Sequence, residues 1–136
     1  MTLRRLFATP PHHTPADVAL LLTRIIFGAA MMNHGYVKIL NPFGWLGADA
    51  FAPPPFQALA ALSEFGGGLA VILGLLVPLA ALGIASTMVV AFGFHMASGD
   101  PLAAAEQPAV YFCVAVLLIA IGPGRFSLDR LIFGRR

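Results

Sequence analysis

Proline and glycine cut this chain into four apolar stretches, each about as long as a bilayer is thick. Asn41-Pro42 closes the first, Pro53-Pro54-Pro55 precedes the second, Pro78 separates the second from the third, and Ser98-Gly99-Asp100-Pro101 separates the third from the fourth. A helix crossing the hydrocarbon core needs about 20 predominantly apolar residues. The pattern predicts an all-α four-helix transmembrane bundle in one membrane domain, 1–136, with spans at about 15–40, 56–76, 78–97 and 101–121. Of the 136 residues, 59% are hydrophobic and only 10% charged, with mean hydropathy +0.86. A soluble domain carries about 25% charged residues. The surroundings are therefore membrane lipid.

The ends of the spans carry recognisable helix signals. Thr14-Pro15-Ala16-Asp17 reads as a threonine cap, a proline at the first helical position and an acid three residues after the cap. Pro78 implies a tight connection, making spans 2 and 3 an antiparallel hairpin. Span 4 has two candidate starts. Beginning at Pro108 it would cover about 14 residues, short for a crossing, so the longer helix from Pro101, kinked at Pro108, is adopted. Gly122-Pro123-Gly124 ends it. The tail 125–136 sets Phe126, Leu128, Leu131, Ile132 and Phe133 among four arginines and is expected to rest on the membrane surface. The loop 41–55, with Phe43, Trp45 and Phe51, is expected at the interface.

Charge fixes the expected topology. The net charge of +2 comes largely from arginines at the two ends, so it bears on orientation and not on nucleic acid. Arg4, Arg5, Arg125, Arg130, Arg135 and Arg136 fall on one side. Lys38, Asp49, Asp100 and Glu106 fall on the other. The positive-inside rule places both termini in the cytoplasm of an inner-membrane protein. Arg4-Arg5 looks like a twin-arginine signal, but the segment after it is interrupted by Arg24 and shows no convincing cleavage site, so it reads as a mature span. His12-His13 beside Pro10-Pro11 reads as an exposed pair. The single cysteine, Cys113, excludes an intrachain disulfide and a Cys-rich metal site, and reads as an inert buried thiol.

Against this background Glu64 stands out. It lies inside the second apolar run, where an ionisable group is costly and normally faces a bundle interior with a partner. Gly66, Gly67 and Gly68 beside it would let another helix backbone approach closely. Helical rise puts His34 roughly 9 Å below the end of span 1 and Glu64 roughly 12 Å below the start of span 2. His95 lies near the end of span 3, and Glu106 and Tyr111 near the start of span 4. Each helix thus brings a histidine or carboxylate to the same half of the bundle. The opposite half offers Arg24, which would snorkel or pair within the bundle, and the hydroxyls of Thr23, Ser86 and Thr87. Met31, Met32, Met88 and Met96 read as packing.

Three readings compete for the cluster. One is a hydrogen-bonded set that fixes helix packing, with Glu64 protonated or paired with His34. The second is a pocket for a quinone or another redox-active small molecule. There a histidine or tyrosine would hydrogen-bond a carbonyl, and a carboxylate would move protons. The third is a metal or haem site using Glu64, Glu106, His34 and His95. Against it, Glu-x-x-His is absent. No nucleotide loop and no Ser/His/Asp or Cys/His set is signalled by spacing, and transport by an unrepeated four-span chain would require a homo-oligomer.

The motifs carry a resemblance. Arg24-Ile25-Ile26-Phe27-Gly28 is followed by His34-Gly35-Tyr36-Val37-Lys38. Glu64-Phe65-Gly66-Gly67-Gly68 leads to Leu73-Gly74-Leu75, and Gly122-Pro123-Gly124-Arg125-Phe126-Ser127-Leu128-Asp129 comes after the last span. In this order the chain resembles the DoxX family of small four-helix membrane proteins. The resemblance implies, in some relatives, a membrane subunit of an oxidoreductase such as the small subunit of a thiosulfate:quinone oxidoreductase, with sulfur or oxidative-stress partners. By motif it carries over Arg24, His34, Gly35, Lys38, Glu64 and Gly67. With no soluble domain in sight to bind a polar donor, a soluble or membrane redox partner subunit is expected. The resulting expectation is a quinone-interacting, redox-linked subunit. Glu64 would exchange protons and act catalytically with His34. His34, Glu64, His95 and Tyr111 would line the quinone site, with Arg24 and Lys38 as structural charges and Gly35, Gly66, Gly67 and Gly68 packing the helices. A quinone is preferred to haem as cofactor, with no metal. The alternatives are a non-catalytic membrane scaffold and a haem or metal protein.

Overall fold

The computed structural model describes residues 7–134. Four helices among them are long and apolar enough to cross a membrane: α1 (Thr14–Leu40), α2 (Pro54–Leu73), α3 (Val77–Ala97) and α4 (Leu102–Ile121). A short helix, α5 (Leu128–Phe133), comes after them. The protein is all-helical. Helix α4 is one helix with Pro108 inside it. Arg4, Arg5, Arg135 and Arg136, on which the topology argument leans, lie outside the described residues.

Along the chain α1 packs on α2, α2 on α3, and α3 on α4. The interior is built from residues at helical spacing, including Phe27, Met31, Val71, Ile84, Met88 and Leu118, all at 5% exposure or less. Leu22, Ile26, Leu59, Leu82, Val90 and Leu117 point outwards and are exposed. Such an apolar exterior suits lipid and not water. Cys113 belongs to this outer face and is exposed, not buried as expected. An apolar run in a membrane helix does not by itself distinguish the face towards the bundle from the face towards lipid.

The tightest helix approaches depend on glycine. A Cβ on Gly35 of α1 would lie 2.5 Å from the Phe65 nitrogen and 2.9 Å from Glu64 Cβ. Gly28 and Gly68 face each other across the same interface, where a Cβ on either would fall within 2.7 Å of the other's carbonyl oxygen. Gly67 turns instead towards Ile84 and Ala80 of α3, while a Cβ on Gly66 would meet only the Leu62 side chain of its own helix. Between these contacts, Leu62–Gly66 forms a π turn. The wider turn inserts one residue and rotates the rest of α2 relative to its first half. It brings Glu64 and Gly35 together while Gly67 and Gly68 face α3 and α1.

The end of the bundle that holds Arg24 is more polar than the sequence suggests. Arg24 is 1% exposed and does not snorkel. Its guanidinium donates to the carbonyls of Val71 (3.0 Å) and Ile72 (3.1 Å) at the end of α2, and to those of Pro123 and Phe126 (2.8 Å) in the loop after α4. A cation suits the C-terminal end of a helix, where carbonyls lack partners. Asp129 supplies the complement at the start of α3, accepting from the backbone N–H of Leu76 (2.6 Å) and Val77 (2.9 Å). Leu76 sits at φ 47°, the left-handed region that a leucine rarely enters. The Asp129 carboxylate holds it there. Burial pushes this carboxyl above the ordinary carboxylate range, against the pull of the two N–H groups and of Arg24. The α2–α3 turn is thus clamped by one residue from α1 and one from α5.

Three smaller expectations change. The residue preceding α1 is His13, no side chain caps the helix, and Asp17 accepts from the N–H of Arg125 (2.8 Å). His12 is half-buried against the Ile121 carbonyl, 3.2 Å away, while His13 is exposed. The tail is not uniformly superficial. Asp129 is fully buried, although Leu131 and Ile132 on α5 are exposed.

Candidate functional site

The other end of the bundle is covered by the loop between α1 and α2. Gln57 on α2, 2% exposed, holds that loop together. Its backbone carbonyl accepts from Trp45 Nε1 (3.0 Å), its side-chain oxygen accepts from the Leu46 N–H (3.1 Å), and its amide donates to the Ala52 carbonyl (2.9 Å). Phe51 stacks on Phe94 of α3, with ring centroids 4.8 Å apart. The loop forms a roof across α2 and α3.

Beneath this roof Lys38 and Glu64 meet. Lys38 Nζ donates to Glu64 Oε1 at 2.7 Å, a charge-assisted contact between a 24%-exposed and a 2%-exposed side chain. Side chains on a helix lean towards its N-terminus. The long Lys38 side chain therefore reaches back over the turn holding His34 and Gly35, where Glu64 is packed. Lys38 Nζ also sits 4.5 Å from the centroid of the Trp45 ring, within cation–π range. Glu64 Oε2 is buried with no hydrogen-bond partner among the described residues.

Two cavities adjoin this pair. The larger, about 930 Å³, runs between α2 and α3 under the roof and is lined by Trp45, Phe56, Leu59, Ser63, Thr87 and Val90 among others, with Lys38, Glu64 and His95 at its polar end. Phe56, Leu59, Val90 and Phe94 on its rim are exposed on the lipid-facing surface. The smaller, about 160 Å³, lies between α1, α3 and α4 and is lined by His34, Lys38, Glu64, Met88, Ala91, His95, Gln107, Pro108 and Tyr111. The two share Lys38, Glu64, Ala91 and His95.

His34, Glu64, His95 and Tyr111 therefore all border the small cavity, but only Glu64 and His95 also border the large one. His34 does not pair with Glu64. Its Nε2 lies 3.1 Å from the amide nitrogen of Gln107, and that amide donates to the Tyr111 hydroxyl at 3.2 Å. The His34 ring also meets the Tyr111 ring edge-on, 5.8 Å between centroids. His95 Nδ1 lies 2.8 Å from Asp100 Oδ2.

Two features of the site are not evident from the sequence. Lys38, by its position an interfacial charge, is the partner of Glu64. Gln107, exposed but lining the small cavity, takes the part that spacing alone gives to Glu106, which is exposed and lines neither cavity. The available signal for Gln107 is its i, i+4 spacing to Tyr111, which places both on one helix face. Among the described residues no group of three or more His, Cys, Asp or Glu side chains is placed to hold a metal ion.

Four apolar helices, with an ion pair between a partly exposed Lys38 and a buried Glu64, define a small multi-pass integral membrane protein. The chain belongs to the DoxX family, whose model matches residues 19–97. It is similar to the inner membrane protein YqjF of Escherichia coli (strain K12), with 35% identity over 124 residues that cover 85% of this chain and 93% of that protein. No solved structure gives a significant match.

Proposed function

We propose that the protein is a redox-linked, quinone-interacting subunit of an inner-membrane oxidoreductase system, with both termini cytoplasmic and a soluble or membrane redox partner. The observation carrying this reading is the large groove, whose apolar walls reach the lipid-facing surface and end at Lys38, Glu64 and His95. Ligand pockets typically enclose roughly 300–1,000 Å³. The groove lies in that range and the small cavity falls below it, so a ring with an apolar tail belongs in the groove. A ligand dissolved in the bilayer would enter sideways between α2 and α3.

At the polar end, the Lys38 ammonium has three donors, one of them used by Glu64, and the others suit a ring carbonyl. His95 is a second hydrogen-bonding partner. Glu64 is the carboxylate that exchanges the protons accompanying electrons. His34 and Tyr111 act from behind it, and Arg24 keeps the far turn in place. The location follows the name of the Escherichia coli relative, and the orientation follows the arginine distribution.

The test is quinone retention through purification, compared between wild type and Glu64→Ala. Wild type is expected to retain quinone and the variant to lose it. Equal retention by two equally folded proteins refutes the pocket. A scaffold without catalysis is the second reading, and the Lys38–Glu64 pair favours it by giving Glu64 a structural partner. In that case Glu64→Gln leaves any activity untouched.

A further inference from the structure

Glu64 lies where two unlike spaces meet, one apolar and reaching lipid, the other small and polar. The first suits a ring and its tail. The second is too small for them, yet polar groups surround it. At ~30 Å³ per molecule, 160 Å³ corresponds to about five waters. Its walls provide hydrogen-bonding groups from three helices: His34 and Lys38 on α1, His95 on α3, and Gln107 and Tyr111 on α4. His34 and Gln107 line this cavity together with Glu64 and are themselves exposed, whereas Glu64 is buried. Glu64 has one oxygen held by Lys38 and one with no hydrogen-bond partner among the described residues.

We infer that the small cavity is the proton route of the site: Glu64 exchanges its proton with water outside the bundle past His34, Gln107 and Tyr111, separately from the groove by which the ligand enters. This rests on the proposed role of Glu64 and adds the path. The proton arrives at or leaves Oε2, since Oε1 is engaged by the Lys38 ammonium. It passes through water in the cavity to the His34 imidazole, whose ring nitrogen accepts or releases it at the exposed edge. Gln107 does not titrate. It holds His34 and Tyr111 in line through its two contacts, so it is a positioning residue. The charged and titratable groups facing Glu64 are Lys38 and His34 from α1, His95 from α3 and Tyr111 from α4. Asp49 of the roof, itself exposed, lines the groove that Glu64 also lines.

Separating the two spaces has a chemical consequence. A hydroxyl-bearing ligand in the groove could pass a proton to Glu64 without admitting water to the apolar walls. Blocking the small cavity should therefore slow proton exchange while leaving ligand binding intact.

The measurement is infrared spectroscopy of protein reconstituted in lipid after a rapid pH change, with the Glu64 carboxyl band assigned by subtracting the spectrum of Glu64→Gln. Gln107→Leu and His34→Leu both lie at exposed positions and provide two independent chances of a folded variant. Each is expected to slow the Glu64 response by about tenfold or more, short of the roughly hundredfold that a positioned acid–base group contributes at the low end. Trp45 fluorescence quenching by a decyl-chain benzoquinone should stay within about twofold of wild type in Gln107→Leu. Unchanged exchange in both folded variants overturns the route. Slowed exchange accompanied by equal loss of quinone quenching also overturns it, because the cavity is then not separate from the groove. If wild type itself shows no quinone quenching, the ligand reading fails, and the exchange rates still decide whether the path exists.

Discussion

Lys38 and Glu64, 26 residues apart in sequence, are joined at 2.7 Å across the α1–α2 interface, and that contact sits at the junction of both cavities. It depends on Gly35, which lets the backbone bearing Glu64 come against α1, and on the π turn that turns Glu64 towards it.

Removing one partner of a buried ion pair leaves an uncompensated charge, costing about 3–5 kcal/mol when burial is complete. Lys38 is partly exposed, so Lys38→Met is expected to cost about 2–3 kcal/mol. The double variant Lys38→Met/Glu64→Gln should recover much of that loss. A double-mutant cycle on unfolding in detergent measures it, and additive losses would show that the pair is not coupled.

The three glycines after Glu64 are not equivalent. Gly68→Ala forces a Cβ to 2.7 Å from the Gly28 carbonyl oxygen and should cost about 1–3 kcal/mol by overpacking. Gly66→Ala meets only the Leu62 side chain, at 3.0 Å, and should change stability by less than about 1 kcal/mol. Melting temperatures of the two variants provide the comparison. Similar losses would contradict the assignment of Gly68, and not Gly66, to the α1 interface.

Asp129 ties α5 to the α2–α3 turn. Asp129→Ala removes the acceptor for the buried N–H of Val77 and the partly buried one of Leu76 and should cost about 1–3 kcal/mol. The pH dependence has a definite sign. Because burial raises this carboxyl above its ordinary value of 3.8, the unfolded chain releases a proton that the folded chain retains within that window. Stability from this group is fully present below the ordinary value and falls as pH rises through the raised one. The melting-temperature advantage of wild type over Asp129→Asn should therefore narrow as pH rises from about 4 towards neutrality. A widening advantage would mean that the N–H contacts to the ionised form outweigh its desolvation.

Gln57 organises the roof. Gln57→Leu removes two side-chain hydrogen bonds from the loop and should release Trp45 from its place over Lys38. Since Trp45 is the only tryptophan in the chain, its emission reports this directly and should shift to the red. Unchanged emission would show that the Trp45 bond to the residue-57 backbone carbonyl and the aromatic contacts are enough to hold the loop.

The four helices are legible in the sequence because apolar length and proline punctuation are properties of consecutive residues. Asn41-Pro42 and Gly122 stop helices wherever they pack. The site is only partly legible. That His34, Glu64, His95 and Tyr111 occupy one half of the bundle comes from counting residues along the spans. Which side chain reaches a cavity depends on the rotation of each helix, which brings Gln107 and not Glu106 to the small one and leaves Cys113 exposed. The π turn at Leu62–Gly66 has no local sequence mark. The role of Asp129 is hidden because its partners, Leu76 and Val77, are more than 50 residues away and are backbone groups.

Trp45 stands in the wall of the groove proposed to take a quinone ring, so its fluorescence during a titration with a decyl-chain benzoquinone reads occupancy of the groove. Saturable quenching is expected in wild type, and its loss in Ala60→Phe, which adds bulk to the groove wall while leaving Lys38 and Glu64 themselves unchanged. Quenching that rises linearly without saturation, and equally in both proteins, would contradict quinone binding in the groove.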